Sequence, residues 1–341
     1  MASTSALPLH LVTGFLGSGK TTLINRVLRS PGFAGTMVVI NEFGEVGLDN
    51  LLAATASDNV LLLDSGCLCC AASGGLRDTL IDLFSRRAAG TLPTFDRLIV
   101  ETSGLANPAP IVAGVLGDSA LRGRCELTQI LTLVDAMHGE PTLQQHAEAR
   151  RQVAFADRLV LTKSQSVAPA KVQAVTAVVR GMNPHAAFLV ASDDTPPTAC
   201  FEDASRRAQP GAESWLRGPL QAQYGANDAA HDAAHDAAFG HISTHTFRLP
   251  HAVDWASYAA WCDRLRRRYG AHLLRCKGLL ALGDDGRQFI VQGVQGFFAP
   301  PIPYKGAPAP GFIVCIGEDL HREELAALFE LLEPSTTGTP T

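Results

Sequence analysis

Apolar positions in the first two hundred residues fall into short runs, at 7–13, 37–40, 60–63, 98–100, 130–134, 159–161 and 188–190, and helical spacing fills the stretches between them. Short β-rich runs alternating with helices predict an α/β fold, a doubly wound and mostly parallel sheet covered on both faces. Ligands of such sheets gather at the carboxyl ends of the strands, so the residues just after each run are the ones to inspect. Beyond residue 190 the pattern changes. Pro196-Pro197, Pro210-Gly211 and the Ala/His/Asp run 227–239 predict a linker over 201–242. A helical pattern through Trp255, Tyr258, Trp261 and Leu265 follows, then a hairpin of residues 279–282 and 288–291 joined by Gly283-Asp284-Asp285-Gly286, a strand at 312–316 and a helix at 323–332. That order predicts a smaller C-terminal α+β domain over 243–333, with no evident nucleophile or base, and a disordered tail over 334–341. Trp255 and Trp261 read as core or interface residues.

The first apolar run leads into Gly14-Phe15-Leu16-Gly17-Ser18-Gly19-Lys20-Thr21-Thr22, and a helix-like segment follows at residues 23–28. This G-x-x-x-x-G-K-T pattern between strand and helix is a phosphate-binding loop, which makes residues 1–200 a P-loop NTPase-type nucleotide-binding domain. Glycines let successive N–H groups point inward at phosphate oxygens, and the helix offers its positive end to the same anion. Lys20 is expected to reach the outer phosphates, and the Thr21 hydroxyl to ligate Mg2+.

Three later strand ends carry further chemistry. After residue 40 comes Asn41-Glu42-Phe43-Gly44-Glu45-Val46-Gly47-Leu48-Asp49, which suits a loop that senses the terminal phosphate. The run at 98–100 ends in Glu101-Thr102-Ser103-Gly104: an acid that reaches Mg2+ through water, then a glycine whose N–H feels the terminal phosphate. Asp64 and Asp135 also end strands, but only Glu101 has a glycine three residues on. Thr162-Lys163-Ser164-Gln165 stands where a GTPase reads its base.

Composition changes the picture in three respects. The net charge is −5, and the one basic run, residues 264–268, reads as a solvated helix face; nucleic acid is not an expected partner. No apolar run approaches the ~18 residues of a membrane span, and the first residues lack a basic-then-apolar leader, so the expected location is cytoplasmic, away from membranes. Of the eight cysteines, Cys67, Cys69 and Cys70 crowd behind Gly66 at a strand end. In a reducing compartment such a cluster points to metal or redox chemistry. Thiolates favour zinc or related soft ions, and two or three of them leave room for a fourth ligand from Glu42, a histidine or a client protein. The bland alternative is a pair of small buried apolar residues plus one incidental thiol. In the run at 227–239, His231 and His235 share one helical face, with His241 and His245 soon after; this fits a metal-collecting arm and an Ala-rich spacer equally well.

The phosphate loop, Asn41-Glu42-Phe43-Gly44-Glu45, Gly66-Cys67-Leu68-Cys69-Cys70 and Glu101-Thr102-Ser103-Gly104-Leu105-Ala106 together resemble the CobW family of P-loop GTPases. The region 243–333, with Arg275-Cys276-Lys277-Gly278-Leu279-Leu280 and Phe312-Ile313-Val314-Cys315-Ile316-Gly317, resembles that family's C-terminal domain. The resemblance implies a GTP-hydrolysing metallochaperone that delivers zinc or cobalt to a client metalloenzyme or to cobalamin synthesis. It implies GTP, Mg2+ and Zn2+ or Co2+ as ligands, and it places Gly14, Gly17, Ser18, Gly19, Lys20, Thr21, Thr22, Gly104, Thr162 and Lys163 at the nucleotide. Two departures stand out. Gln165 replaces the aspartate whose oxygens accept both guanine donors, and a charged hydrogen bond is worth ~1.5–3 kcal/mol, so weaker guanine selection, with ATP admitted, is expected. Thr162 replaces the commoner asparagine, and its hydroxyl can still bond locally. The other function classes compatible with the loop are a small-molecule phosphotransferase and a metal-storage or sensing module with structural nucleotide.

Overall fold

The computed structural model describes residues 6–40, 60–62, 74–201 and 242–332. Glu42, Asp64, Cys67, Cys69, Cys70, His231, His235 and the tail lie outside the described residues. The chain divides into two compact units, Met1–Pro219 and Leu220–Thr341.

In the first unit, seven strands form one parallel sheet: β1 (Leu7–Gly14), β2 (Thr36–Ile40), β3 (Val60–Leu62), β4 (Arg97–Glu101), β5 (Cys125–Asp135), β6 (Arg158–Thr162) and β7 (Ala187–Val190), in the order β3-β2-β4-β1-β5-β6-β7. Each corresponds to one of the seven apolar runs. β5 begins earlier than its run, because Thr128 and Gln129 are buried within it and interrupt the apolar pattern without interrupting the strand. Helices α1 (Lys20–Leu28), α2 (Gly74–Ala88), α3 (Pro108–Gly117), α4 (Gly139–Gln145), α5 (Ala147–Phe155), α6 (Pro169–Met182) and α7 (Pro197–Cys200) accompany the strands. β1 sits centrally between β4 and β5, so the carboxyl ends of these three strands, with the phosphate loop between β1 and α1, form the crevice where such sheets bind ligands. Leu23, Ile24 and Val27 of α1 pack on Val12, Ile99 and Leu131 and hold that helix start in place.

At mid-strand in β1 the apolar pattern breaks at His10, which pairs in register with Ile99 and Gln129 and is 1% exposed. Its ring meets Phe201 edge-on, with centroids 5.4 Å apart. Burial, assisted by the Arg97 charge, lowers its pKa to about 4, and burial lowers His185 to the same value. An unfolded chain binds these protons near pH 6.5, whereas the folded chain binds them only near pH 4. Stability is therefore complete above pH 6.5 and is lost as the pH falls through this window, by about 3 kcal/mol for His10 alone. Urea midpoints at pH 7 and 5 should differ clearly less in His10→Phe than in the parent; an identical difference would remove His10 from the account.

The second unit is an antiparallel sheet of β8 (Ile242–Arg248), β9 (Arg275–Ala281), β10 (Gln288–Val294), β11 (Phe297–Phe298), β12 (Ile302–Pro303) and β13 (Phe312–Glu318), in the order β11-β10-β9-β13-β8 with β12 on β10. Helix α8 (Trp255–Tyr269), capped by Asp254 Oδ1 on the Ser257 N–H at 2.8 Å, buries Tyr258, Trp261 and Leu265 on this sheet beside helix α9 (Arg322–Phe329). Trp261 is a core residue, as expected, whereas Trp255 is half exposed. β8 is a correction. The polar run Ser243-Thr244-His245-Thr246 conceals a strand that pairs with β13 from Ile242 to Arg248. His245 is buried there, its Nε2 is 2.9 Å from Ser243 Oγ and 3.1 Å from the Leu320 carbonyl, and so it is not part of a solvated arm. Cys276 and Cys315 face each other across β9 and β13, and Cys262 of α8 packs on the same core. The Cys315 thiol and burial hold Cys276 well above the usual thiol pKa, and burial pushes Cys262 up to about 12. In the first unit, burial raises Cys125 to about 11 and also raises Cys200. Among the described residues no three His, Cys, Asp or Glu side chains stand close enough to hold a metal ion.

Candidate functional site

The phosphate loop gets its shape from three glycines at positive φ. Gly14 (φ +141°) ends β1, and a Cβ there would lie 2.4 Å from the Leu133 carbonyl oxygen. Gly17 (φ +73°) and Gly19 (φ +95°) turn the chain so that Ser18 N–H closes on the Phe15 carbonyl at 3.1 Å and Gly19 caps α1. These conformations are inexpensive only for glycine. No side chain caps the start of α1, and its first turn carries no acid, so its leading N–H groups and dipole face the crevice. Lys20, nearly buried, crosses the loop with Nζ 2.7 Å from the Gly14 carbonyl and 3.2 Å from that of Phe15. Ser18 Oγ is buried in the loop without a hydrogen-bond partner. A cradle of this kind, with an orphaned hydroxyl, a lysine and a helix start that no side chain caps, fits phosphate oxygens.

The turn after β4 docks directly on this loop. Thr102 N–H donates to the Val12 carbonyl at 2.9 Å, and its hydroxyl donates to Thr13 Oγ1 at 2.8 Å. Glu101, buried, brings Oε1 to 3.5 Å from Thr21 Oγ1. Gly104 touches the loop backbone: a Cβ on it would lie 2.7 Å from Leu16 N and 2.9 Å from Leu16 Cα. Thus the structure brings together Lys20, Thr21, Glu101 and Gly104. The acid and hydroxyl form an oxygen pair suited to a hard cation such as magnesium. Asp135, the alternative acid within the described residues, is committed elsewhere. Its Oδ2 accepts Lys163 Nζ at 2.7 Å, and its Oδ1 accepts the Met137 N–H at 2.7 Å.

On the base side, Thr162 Oγ1 donates to the Ser18 carbonyl at 2.8 Å and lies 3.2 Å from Val134 O, so the hydroxyl does bond locally and ties β6 to the phosphate loop. Lys163 takes a left-handed conformation (φ 56°) that points its stem along Asp135, and Gln165 lies exposed in the following turn, Ser164–Ser166. Thr22 is exposed on the first turn of α1. Behind the phosphate loop, a cavity of about 240 Å³ runs between Phe15–Ser18, the end of β5 and helices α4 and α5, with Gln152 and Lys163 in its lining.

Compared with known proteins, residues 8–190 match the family model described as the CobW/HypB/UreG nucleotide-binding domain, and residues 242–332 match the cobalamin synthesis protein CobW C-terminal domain. The chain belongs to the CobW family. It is 30% identical to the zinc chaperone YjiA of Escherichia coli over 326 residues, 95% of this chain and 98% of the relative. It is 24% identical to the zinc-regulated GTPase metalloprotein activator 1 of Schizosaccharomyces pombe, over 93% of this chain and 83% of that one. The crystal structure of zinc-bound YjiA GTPase superposes with a TM-score of 0.65 at 25% identity, covering 96% of this chain and 99% of that one. As in other CobW-family chains, then, the first unit is a P-loop GTPase-type nucleotide-binding domain.

Sequence reasoning missed three residues of this crevice. Nothing marks Thr13 and Thr102 as a pair, because their contact spans two strands. Gln152 sits in a polar helical stretch that reads as solvated, yet it is buried against the Gly104 turn.

Proposed function

We propose that this protein hydrolyses GTP and couples the nucleotide state to zinc binding and hand-over to a client metalloprotein. The observation that carries the reading is the seating of Gly104 on Leu16, which puts a terminal-phosphate reader in direct contact with the phosphate cradle. Lys20 and the leading N–H groups of α1 hold the phosphates, and Gly104 N–H registers the presence of the last one. Magnesium would be held by Thr21 Oγ1 and, through water, by Glu101, and it neutralises charge on the β- and γ-oxygens when bound. β3 runs parallel to β1 and β2 and ends at the same sheet edge, shortly before Cys67, Cys69 and Cys70 in the chain. Zinc is the cargo that the chaperone names of the relatives support, and thiolate is the ligand suited to it. His231 and His235 are proposed as auxiliary collectors of the same ion.

Coupling requires that zinc bind with different affinity in the triphosphate and diphosphate states. Zinc titrations of the protein loaded with a non-hydrolysable GTP analogue or with GDP should give dissociation constants about tenfold apart, a coupling of typical size. Cys67→Ser should lower the bound zinc count and abolish the difference. Equal zinc affinity in both nucleotide states would defeat the coupling.

A further inference from the structure

Helix α5 grips both loops that read phosphate. At its N-terminus, His146 stacks on Phe15 of the phosphate loop, with ring centroids 4.5 Å apart and planes at 28°. Further along, Gln152, 1% exposed, spends its side-chain amide on the turn after β4, donating to Gly104 O at 3.1 Å and Ala106 O at 3.0 Å. Its own backbone carbonyl accepts Thr132 Oγ1 at 2.9 Å, which fixes this part of α5 to β5.

The Gly104 turn is thus held from two sides. Leu16 leaves it no clearance toward the phosphate loop, since a Cβ would meet Leu16 backbone atoms under 3 Å away. From the other side, one planar amide takes two carbonyls that lie two residues apart. Anchoring Gly104 O fixes the peptide that follows Gly104, anchoring Ala106 O fixes the peptide two residues on, and with the Leu16 backbone against Gly104 on the opposite side the turn that carries the Gly104 N–H can neither swing nor tilt as a unit. A donor that serves two buried acceptors in one plane sets direction as well as distance.

We infer that Gln152 is a positioning residue for terminal-phosphate recognition: it pre-aims the Gly104 N–H at the last phosphate of a nucleoside triphosphate without touching the nucleotide. The inference deepens the functional reading above and rests on its assignment of Gly104. Gln152 therefore contributes to the distinction between triphosphate and diphosphate and leaves the contacts common to both unchanged.

The test is the ratio of affinities for a non-hydrolysable GTP analogue and for GDP, measured calorimetrically on the full-length protein and on Gln152→Leu, which keeps the bulk and removes both donors. Triphosphate affinity should fall about tenfold, the scale of one lost hydrogen bond to an ordered acceptor, while GDP affinity stays within about twofold. A purely structural glutamine would lower both together, and that result, or an unchanged ratio, overturns the inference. If Gln152→Leu binds no GDP, Gln152→Glu, which keeps the shape and exchanges the amide donors for a carboxyl, is judged by the same ratio. Lys20→Ala separates the two levels of the argument. Should it retain full triphosphate affinity, the reading of the cradle itself falls; should it lose affinity while Gln152→Leu keeps the parental ratio, the positioning role alone is wrong.

Discussion

Lys20→Ala should lower GTP hydrolysis by about 10²–10³-fold, the cost typical of removing one fixed donor to developing transition-state charge. The lysine sits where the loop is most constrained, nearly buried and aligned by the Gly14 and Phe15 carbonyls, so its ammonium needs little reorganisation to meet a phosphate oxygen. No neighbour within the described part of the loop can replace it, because residues 14 and 15 offer only carbonyls there and Ser18 contributes an uncharged hydroxyl. The variant should remain folded. Its apolar anchors, Leu23, Ile24 and Val27 of α1, are untouched, and two hydrogen bonds to loop carbonyls are worth about 1–3 kcal/mol together. Phosphate release under saturating GTP, with a thermal midpoint as the folding control, checks this. A folded variant within tenfold of the parent rate would show that the loop serves something other than hydrolysis.

Gly104→Ala should be nearly as damaging for a different reason. The added methyl would meet Leu16 Cδ2 at 2.6 Å, Leu16 N at 2.7 Å and Leu16 Cα at 2.9 Å. The Cδ2 atom can rotate aside; the two backbone atoms cannot move without unwinding the phosphate loop. Overpacking of this kind costs ~1–3 kcal/mol. The strain is relieved by lifting the turn, and the turn is what should carry the terminal-phosphate N–H. Hydrolysis should therefore drop about a hundredfold, with GDP affinity changed little, as stopped-flow binding and steady-state turnover together would show. A variant that hydrolyses GTP at the parental rate would remove Gly104 from the phosphate-reading role.

The first unit was readable because parallel strands buried on both faces leave compact apolar runs, and the loop glycines are dictated by backbone geometry that no other residue adopts cheaply. All seven runs became strands in one sheet. What escaped was information that depends on packing. β8 escaped because its pairing with β13 is satisfied by Ser, Thr and His, so its polarity resembled that of the preceding linker. Gln152 escaped because a glutamine on a helix looks the same whether it faces water or two carbonyls 3.0–3.1 Å away. Thr162 was readable in kind but not in partner: its local hydrogen bond was expected, while its choice of the Ser18 carbonyl follows from the β1–β5–β6 register.

The sulfur atoms packed inside both units have a practical consequence. Cys125, Cys200, Cys262 and Cys276 all carry raised pKa values, and Cys315 is walled in opposite Cys276. Aromatic disulfide reagents attack through the deprotonated sulfur and need a path to it. In the native protein near pH 7 the buried Cys125, Cys200, Cys276 and Cys315 should stay silent and the half-buried Cys262, its thiol held protonated, should react slowly, so a fast colour change is expected from the three remaining thiols. On the proposal that Cys67, Cys69 and Cys70 hold zinc, spectrophotometric titration before and after adding denaturant should follow metal occupancy with no labelling mutant required.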